Sequence, residues 1–139
     1  MKPENLNINR LAKRLEEKFP EILFAFLFGS SKDGKIRKGS DVDLAIYIQD
    51  CKDTFTLISS ILKIVESEIS TDNFDLVILN DTDPVLAMEA LQGKILFIRK
   101  EAMDTYADFY SLTCRVYEDQ IFWTKKQLEY RGYEVQWDY

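Results

Sequence analysis

The sequence predicts an α/β or α+β fold: a sheet of about four strands with flanking helices and a long helix at the C-terminal end. Three observations carry this. "ILFAFLF" (22–28) is apolar without a break, the mark of a strand covered on both faces. "DVDLAIYI" (41–48), "FDLVIL" (74–79) and "KILFI" (94–98) are further apolar runs of strand length. Around them apolar residues recur at helical spacing, which gives the order α-β-β-α-β-α-β-α.

Each element has its own local signal. Ile8, Leu11, Ala12, Leu15 and Phe19 form one face of an amphipathic helix that stops near Pro20. In 41–48 the residues alternate: Val42, Leu44, Ile46 and Ile48 on one face, Asp41, Asp43, Ala45 and Tyr47 on the other. Asp53 is a candidate N-cap for a helix with the stripe Ile58, Ile61, Leu62, Val65 and Ile69. In 74–79, Asp75 lies opposite Phe74, Leu76 and Ile78. Asp83-Pro84 is an N-cap with proline at N1, and Gly93 closes that short helix. The last helix runs from Glu101 to about Arg131, with Met103, Tyr106, Ala107, Tyr110, Cys114, Tyr117, Ile121 and Leu128 inward.

Composition narrows the chemistry. The 139 residues contain no repeat or linker and are read as one domain, a core of about 8–100 followed by a helix and aromatic tail at about 101–139. With 18 basic and 24 acidic residues the charge is −6, which makes nucleic acid a poor partner. The polar start "MKPENLNINR" has no apolar h-region, and no run is long enough to span a membrane, so a soluble cytoplasmic chain is expected. Cys51 and Cys114 have no metal-ligand spacing and read as reduced thiols. There is no histidine, which excludes Ser-His-Asp and Cys-His sites. Acid–base or metal chemistry must rest on carboxylates, and carboxylates favour a hard cation such as Mg²⁺.

Asp41 and Asp43 project together because strand residues two apart share a face, about 6–7 Å apart at Cα. Asp75 joins them if its strand pairs alongside. Three converging carboxylates repel, and one or two divalent cations turn that repulsion into binding. Gly29, at the end of an apolar strand, allows a tight turn and close ligand approach. Ser30 and Ser31 then offer backbone N–H groups and hydroxyls to an anion. Lys35, Arg37 and Lys38 are candidates for the outer phosphates of a triphosphate, and a solvated charged loop explains them equally well.

Gly29-Ser30, ten residues, then Asp41-Val42-Asp43 resembles the G-S-x(10)-D-x-D signature of the polymerase-beta nucleotidyltransferase superfamily. The short length, Asp75 in "FDLVIL" and the stretch "DPVLAMEALQGKILF" (83–97) are similar to its minimal members, the MNT proteins, over about residues 8–100. The resemblance implies a polymerase-beta-like mixed sheet. It also implies an MNT antitoxin of the MntA-like kind, which transfers AMP from ATP to a tyrosine of a partner HEPN ribonuclease toxin and silences it. Position by position, it makes Gly29 and Ser30 the phosphate-binding turn and Asp41 and Asp43 shared ligands of two Mg²⁺ ions. Asp75 becomes a ligand of the catalytic ion alone.

Two other functions fit less well. A small-molecule nucleotidyltransferase of the antibiotic-modifying kind generally carries a further substrate domain, for which little chain is left after residue 100. A non-catalytic antitoxin that masks its partner has no need of three repelling carboxylates. The tail "YRGYEVQWDY" (130–139) places Tyr130, Tyr133, Trp137 and Tyr139 after Gly132, a candidate C′ residue. Such aromatic anchors suit docking of the toxin or a second copy, or packing on their own domain.

Overall fold

The computed structural model describes residues 4–5, 8–29, 35–36, 42–68 and 74–132. In chain order these form β1 (Glu4–Asn5), α1 (Ile8–Lys18), β2 (Ile22–Phe28), β3 (Lys35–Ile36), β4 (Val42–Ile48) and α2 (Thr54–Glu68), then β5 (Phe74–Ile78), α3 (Pro84–Leu91), β6 (Lys94–Ile98) and α4 (Met103–Tyr130). Four strands make the main sheet in the order β5-β4-β2-β6. β2 runs antiparallel to both β4 and β6, while β4 and β5 are parallel, so the sheet is mixed.

Helices cover both faces. On one, Leu11 and Leu15 of α1 and Ile61 and Val65 of α2 pack with Ala25, Leu27, Val42, Leu44 and Ile46. On the other, Ala87, Ala90 and Leu91 of α3 join Phe24, Phe26, Phe28 and Ala45, with Tyr106 and Phe109 of α4 against them. This is why β2 tolerates no polar residue: every second side chain enters a different core. β4 is covered in the same way. Its second face is not open along its length, because Ala45 is fully buried and Tyr47 stacks on Phe24 at 4.7 Å. At the other end of that face Asp43 is half-buried.

Several helix expectations shift in detail. α2 turns Leu57, Ile61, Ile64 and Val65 to the core, leaving Ile58 and Leu62 at its margin; Ile69 lies outside the described residues. The inward side of α4 is Tyr106, Phe109 and Thr113, whereas Met103 and Tyr110 are 49% and 40% exposed and Ala107 is exposed. Beyond Thr113 no described residue of α4 is buried. The strand written as 74–79 ends at Ile78, because Leu79–Asp81 form a 3-10 turn that drops Leu79 into the core. There the Asn80 side chain accepts from the Ile48 N–H at 3.0 Å and donates to the Ile48 carbonyl at 2.7 Å, standing in for a further strand.

The caps follow the sequence closely. Thr56 donates its N–H to Asp53 Oδ1 at 3.0 Å and its hydroxyl to Oδ2 at 2.7 Å. Those bonds, the hydroxyl one foremost, hold the Asp53 carboxyl below its ordinary value of 3.8. Asp83 caps α3 through the Leu86 N–H at 3.0 Å, with Pro84 behind it. Gly132 follows α4 with φ +90° and donates to the Glu129 carbonyl at 3.0 Å, the expected C′ geometry. The end of α1 is closed from a distance: Arg99 donates to the carbonyls of Glu16, Phe19 and Ile22 at 2.6, 2.8 and 2.6 Å. α1 and α2 are joined by Glu68, which meets Arg10 at 3.2 Å and Arg14.

Candidate active site

The sheet order places the two halves of the sequence motif side by side. Asp43 stands opposite Phe28, the residue before Gly29, on one side, and opposite Asp75 on the other. Parallel partners in direct register point to the same face, so the two carboxylates share it on strands about 4.8 Å apart. Asp43 is half-buried and Asp75, on an edge strand, is exposed. Helices α3 and α4 cover this face along β2 as far as Phe28 and along β4 from Ala45 onward. Among the described residues, the two aspartates lie beyond that apolar cover.

Gly29 stands next to Asp43 with φ +73°, the left-handed region that glycine enters without strain. A Cβ there would collide with Asp43 Oδ2 and stand 3.2 Å from its Cγ. Glycine is therefore required twice, for its backbone angle and because the Asp43 carboxylate occupies the space beside it. A turn suited to an anion and a carboxylate suited to a cation are thus in contact.

The other sequence candidates divide. Lys35 belongs to β3, whose backbone pairs antiparallel with β1, Asn5 opposite Lys35 and Glu4 opposite Ile36. This ties part of the basic segment to the N-terminal strand, a pairing that a two-residue strand in a polar stretch did not announce. Ser30, Ser31, Arg37, Lys38 and Asp41 lie outside the described residues, as do Tyr133, Trp137 and Tyr139 of the tail. Among the described residues the carboxylates therefore form a facing pair, with no cluster of three metal-binding side chains. Tyr106 is a core residue against Phe24 and Phe26, and burial and the nearby Tyr110 push its hydroxyl above the ordinary value. Cys51 and Cys114 are both free thiols.

One cavity escaped the sequence reading. It measures about 430 Å³ and opens at the opposite end of the strands, between Tyr47, Asp50, Cys51, Asn80, Asp81 and Thr105. None of the candidate carboxylates lines it.

Comparison with known proteins agrees with this architecture. Residues 9–102 match the model of the polymerase beta nucleotidyltransferase family. The chain is 28% identical over 108 residues to the protein adenylyltransferase MntA of Shewanella oneidensis, spanning 75% of this chain and 74% of that protein. Among solved structures, a toxin–antitoxin with AMP-PNP superimposes with a TM-score of 0.65 at 26% identity, covering 89% of this chain and 94% of that one. A tri-AMPylated HEPN toxin in complex with its MNT antitoxin, from Shewanella oneidensis, has the same fold, with a TM-score of 0.60 at 24% identity over 89% of this chain and 91% of that one.

Proposed function

The chain belongs to the polymerase beta nucleotidyltransferase family, and on that premise we propose that it is an antitoxin of the MNT kind, a protein adenylyltransferase. It transfers AMP from ATP to a tyrosine of a cognate HEPN toxin. The observation that carries this reading is the contact of the Gly29 turn with Asp43, itself in register with Asp75. That corner offers phosphate binding and cation binding within one side chain of each other. The similarity to an adenylyltransferase and to a toxin–antitoxin with AMP-PNP supplies the substrate class and the partner.

The donor set fits a hard divalent cation. Two aspartates in direct register are like charges at close range, and the sequence holds no histidine to compete for the ion. Asp43 and Asp75, with Asp41 two residues before Asp43 in the sequence, would hold two Mg²⁺ ions. Bound there, Mg²⁺ supplies positive charge to the phosphates and lowers the pKa of the attacking hydroxyl.

The protein groups divide the remaining work. Gly29 and Ser30, assisted by Ser31, bind phosphate oxygens through backbone N–H groups and hydroxyls, while Lys35, Arg37 and Lys38 face the outer phosphates. The tyrosine oxygen of the partner bonds to the α-phosphorus, and the bond from that phosphorus to the β-phosphate bridging oxygen breaks. Pyrophosphate leaves, and Asp75 takes part in removing the proton of the tyrosine hydroxyl. Asp43, in contact with the Gly29 turn, would serve as a cation ligand. No described helix is long and apolar enough to cross a membrane, and we take the reaction to be cytoplasmic.

The test is transfer of label. Incubated with α-labelled ATP, Mg²⁺ and its cognate HEPN protein, the wild-type chain modifies the partner, and Asp43→Asn does not. Partner inhibition without label would replace this reading with masking. Label on a small molecule would replace it with an antibiotic-type transferase.

A further inference from the structure

Gly93 joins α3 to β6, and its N–H donates to the Ala90 carbonyl at 3.0 Å. Sequence reading gives it the role of closing that helix, for which a glycine usually turns left-handed. The structure removes that explanation, because among the described residues positive φ belongs to Gly29 and Gly132. Backbone freedom therefore does not call for glycine here. Space does. A Cβ at position 93 would overlap the carbonyl oxygen of Leu27, approach Phe28 Cβ to 2.8 Å and lie 3.1 Å from the Ala90 carbonyl oxygen. Two of these neighbours are backbone atoms and the third is a Cβ fixed to the backbone, so none can rotate away.

Leu27 and Phe28 are the last two residues of β2, and Gly29 comes next. Lys94, following Gly93, pairs with Leu27, so the contact lies at the end of the β2–β6 ladder. On its other edge Phe28 pairs with Asp43, whose Oδ2 fills the space beside Gly29. The end of β2 is thus fixed between Gly93 on one side and Asp43 on the other.

We propose that Gly93 is a positioning residue for nucleotidyl transfer. Its missing side chain lets the α3–β6 turn close directly on Leu27 and Phe28, and this closure sets where the Gly29 turn stands relative to Asp43. The inference rests on the reading of that turn as the phosphate-binding element. It differs from a packing role, which would lower stability without regard to phosphate.

Gly93→Ala separates the two. The readouts are melting temperature, affinity for AMP-PNP with Mg²⁺, affinity for adenosine, and single-turnover AMP transfer to the cognate HEPN protein. A shift of the turn by a fraction of an ångström weakens AMP-PNP binding about 10-fold and slows transfer about 10–100-fold, with adenosine affinity unchanged. Ile61→Val, in the core on the other face of the sheet, serves as a control that lowers stability without touching β2's end. If Gly93→Ala binds AMP-PNP and turns over as this control does, the proposal is overturned. If Gly93→Ala does not fold, Ala90→Val, which adds volume to the core that α3 shares with Phe28, takes its place, and the same phosphate-selective loss is required of it. A wild-type chain that fails to bind AMP-PNP overturns the phosphate-site reading itself, an outcome distinct from a variant that matches wild type.

Discussion

Asp43 and Asp75 carry like charges in directly paired positions, an arrangement that weakens a sheet unless something offsets it. Neutralising one of them should therefore separate stability from activity. In metal-free buffer Asp75→Asn is expected to melt at the wild-type temperature or above it, gaining up to about 1 kcal/mol. On the proposed function its AMP transfer should fall by about 100-fold or more. A variant that unfolds, or that keeps full activity, contradicts the site. Gly29 offers a second check at this scale. Gly29→Ala carries a backbone penalty of about 1–2 kcal/mol for its left-handed φ, plus the collision with Asp43. The collision is with a side chain, so Gly29→Ala/Asp43→Ala should be more stable than the sum of the single changes allows. Additive losses in denaturant melts would show that the two do not touch.

Elements were legible in proportion to how locally they are specified. β2 announced itself because an uninterrupted apolar run needs cover on both faces, and the Asp53 and Asp83 caps announced their helices through side chains three residues from their partners. Arg99 gave no such signal, since the carbonyls it satisfies lie about eighty residues earlier in the chain. Arg99→Met keeps the length of the stem and removes the donors. It should cost about 1.5–3 kcal/mol in chemical denaturation, the range for hydrogen bonds made by a charged group. The face of α4 was misjudged for a related reason. Periodicity reports that a stripe exists, but Thr113 rather than Tyr110 points inward because of where the β2 aromatics stand. The Asp53 cap adds a prediction in pH. Its carboxyl is held below 3.8, so the cap contributes fully above that value and is lost as pH falls through the lowered one. Compared with Asp53→Asn, a cap that does not titrate, wild type should show a constant stability difference above pH 4 and a declining one below it.

At the scale of the whole molecule, the three layers set Asp43 and Asp75 in register at one end of the sheet, beyond the described apolar cover. The sequence motif singles out Gly29 and Asp43, and the strand pattern of 74–79 singles out Asp75, because spacing along strands survives any tertiary arrangement. It could not show that Gly29 touches Asp43, since contact depends on β2 and β4 being neighbours in register. The layered core fixes that register from both sides, so the carboxylate pair is preorganised and cannot relax apart without breaking the sheet. Cation binding should therefore stabilise the entire fold, by an amount that grows with the logarithm of ion concentration. At Mg²⁺ about 100 times its dissociation constant the gain is about 2.7 kcal/mol per site, several degrees in melting temperature for a chain of 139 residues. Asp43→Asn and Asp75→Asn should lose most of that increment while melting normally without the ion. Calorimetric scans of the three proteins across an Mg²⁺ series decide the matter. Equal increments in all three would place the ion somewhere other than between β4 and β5.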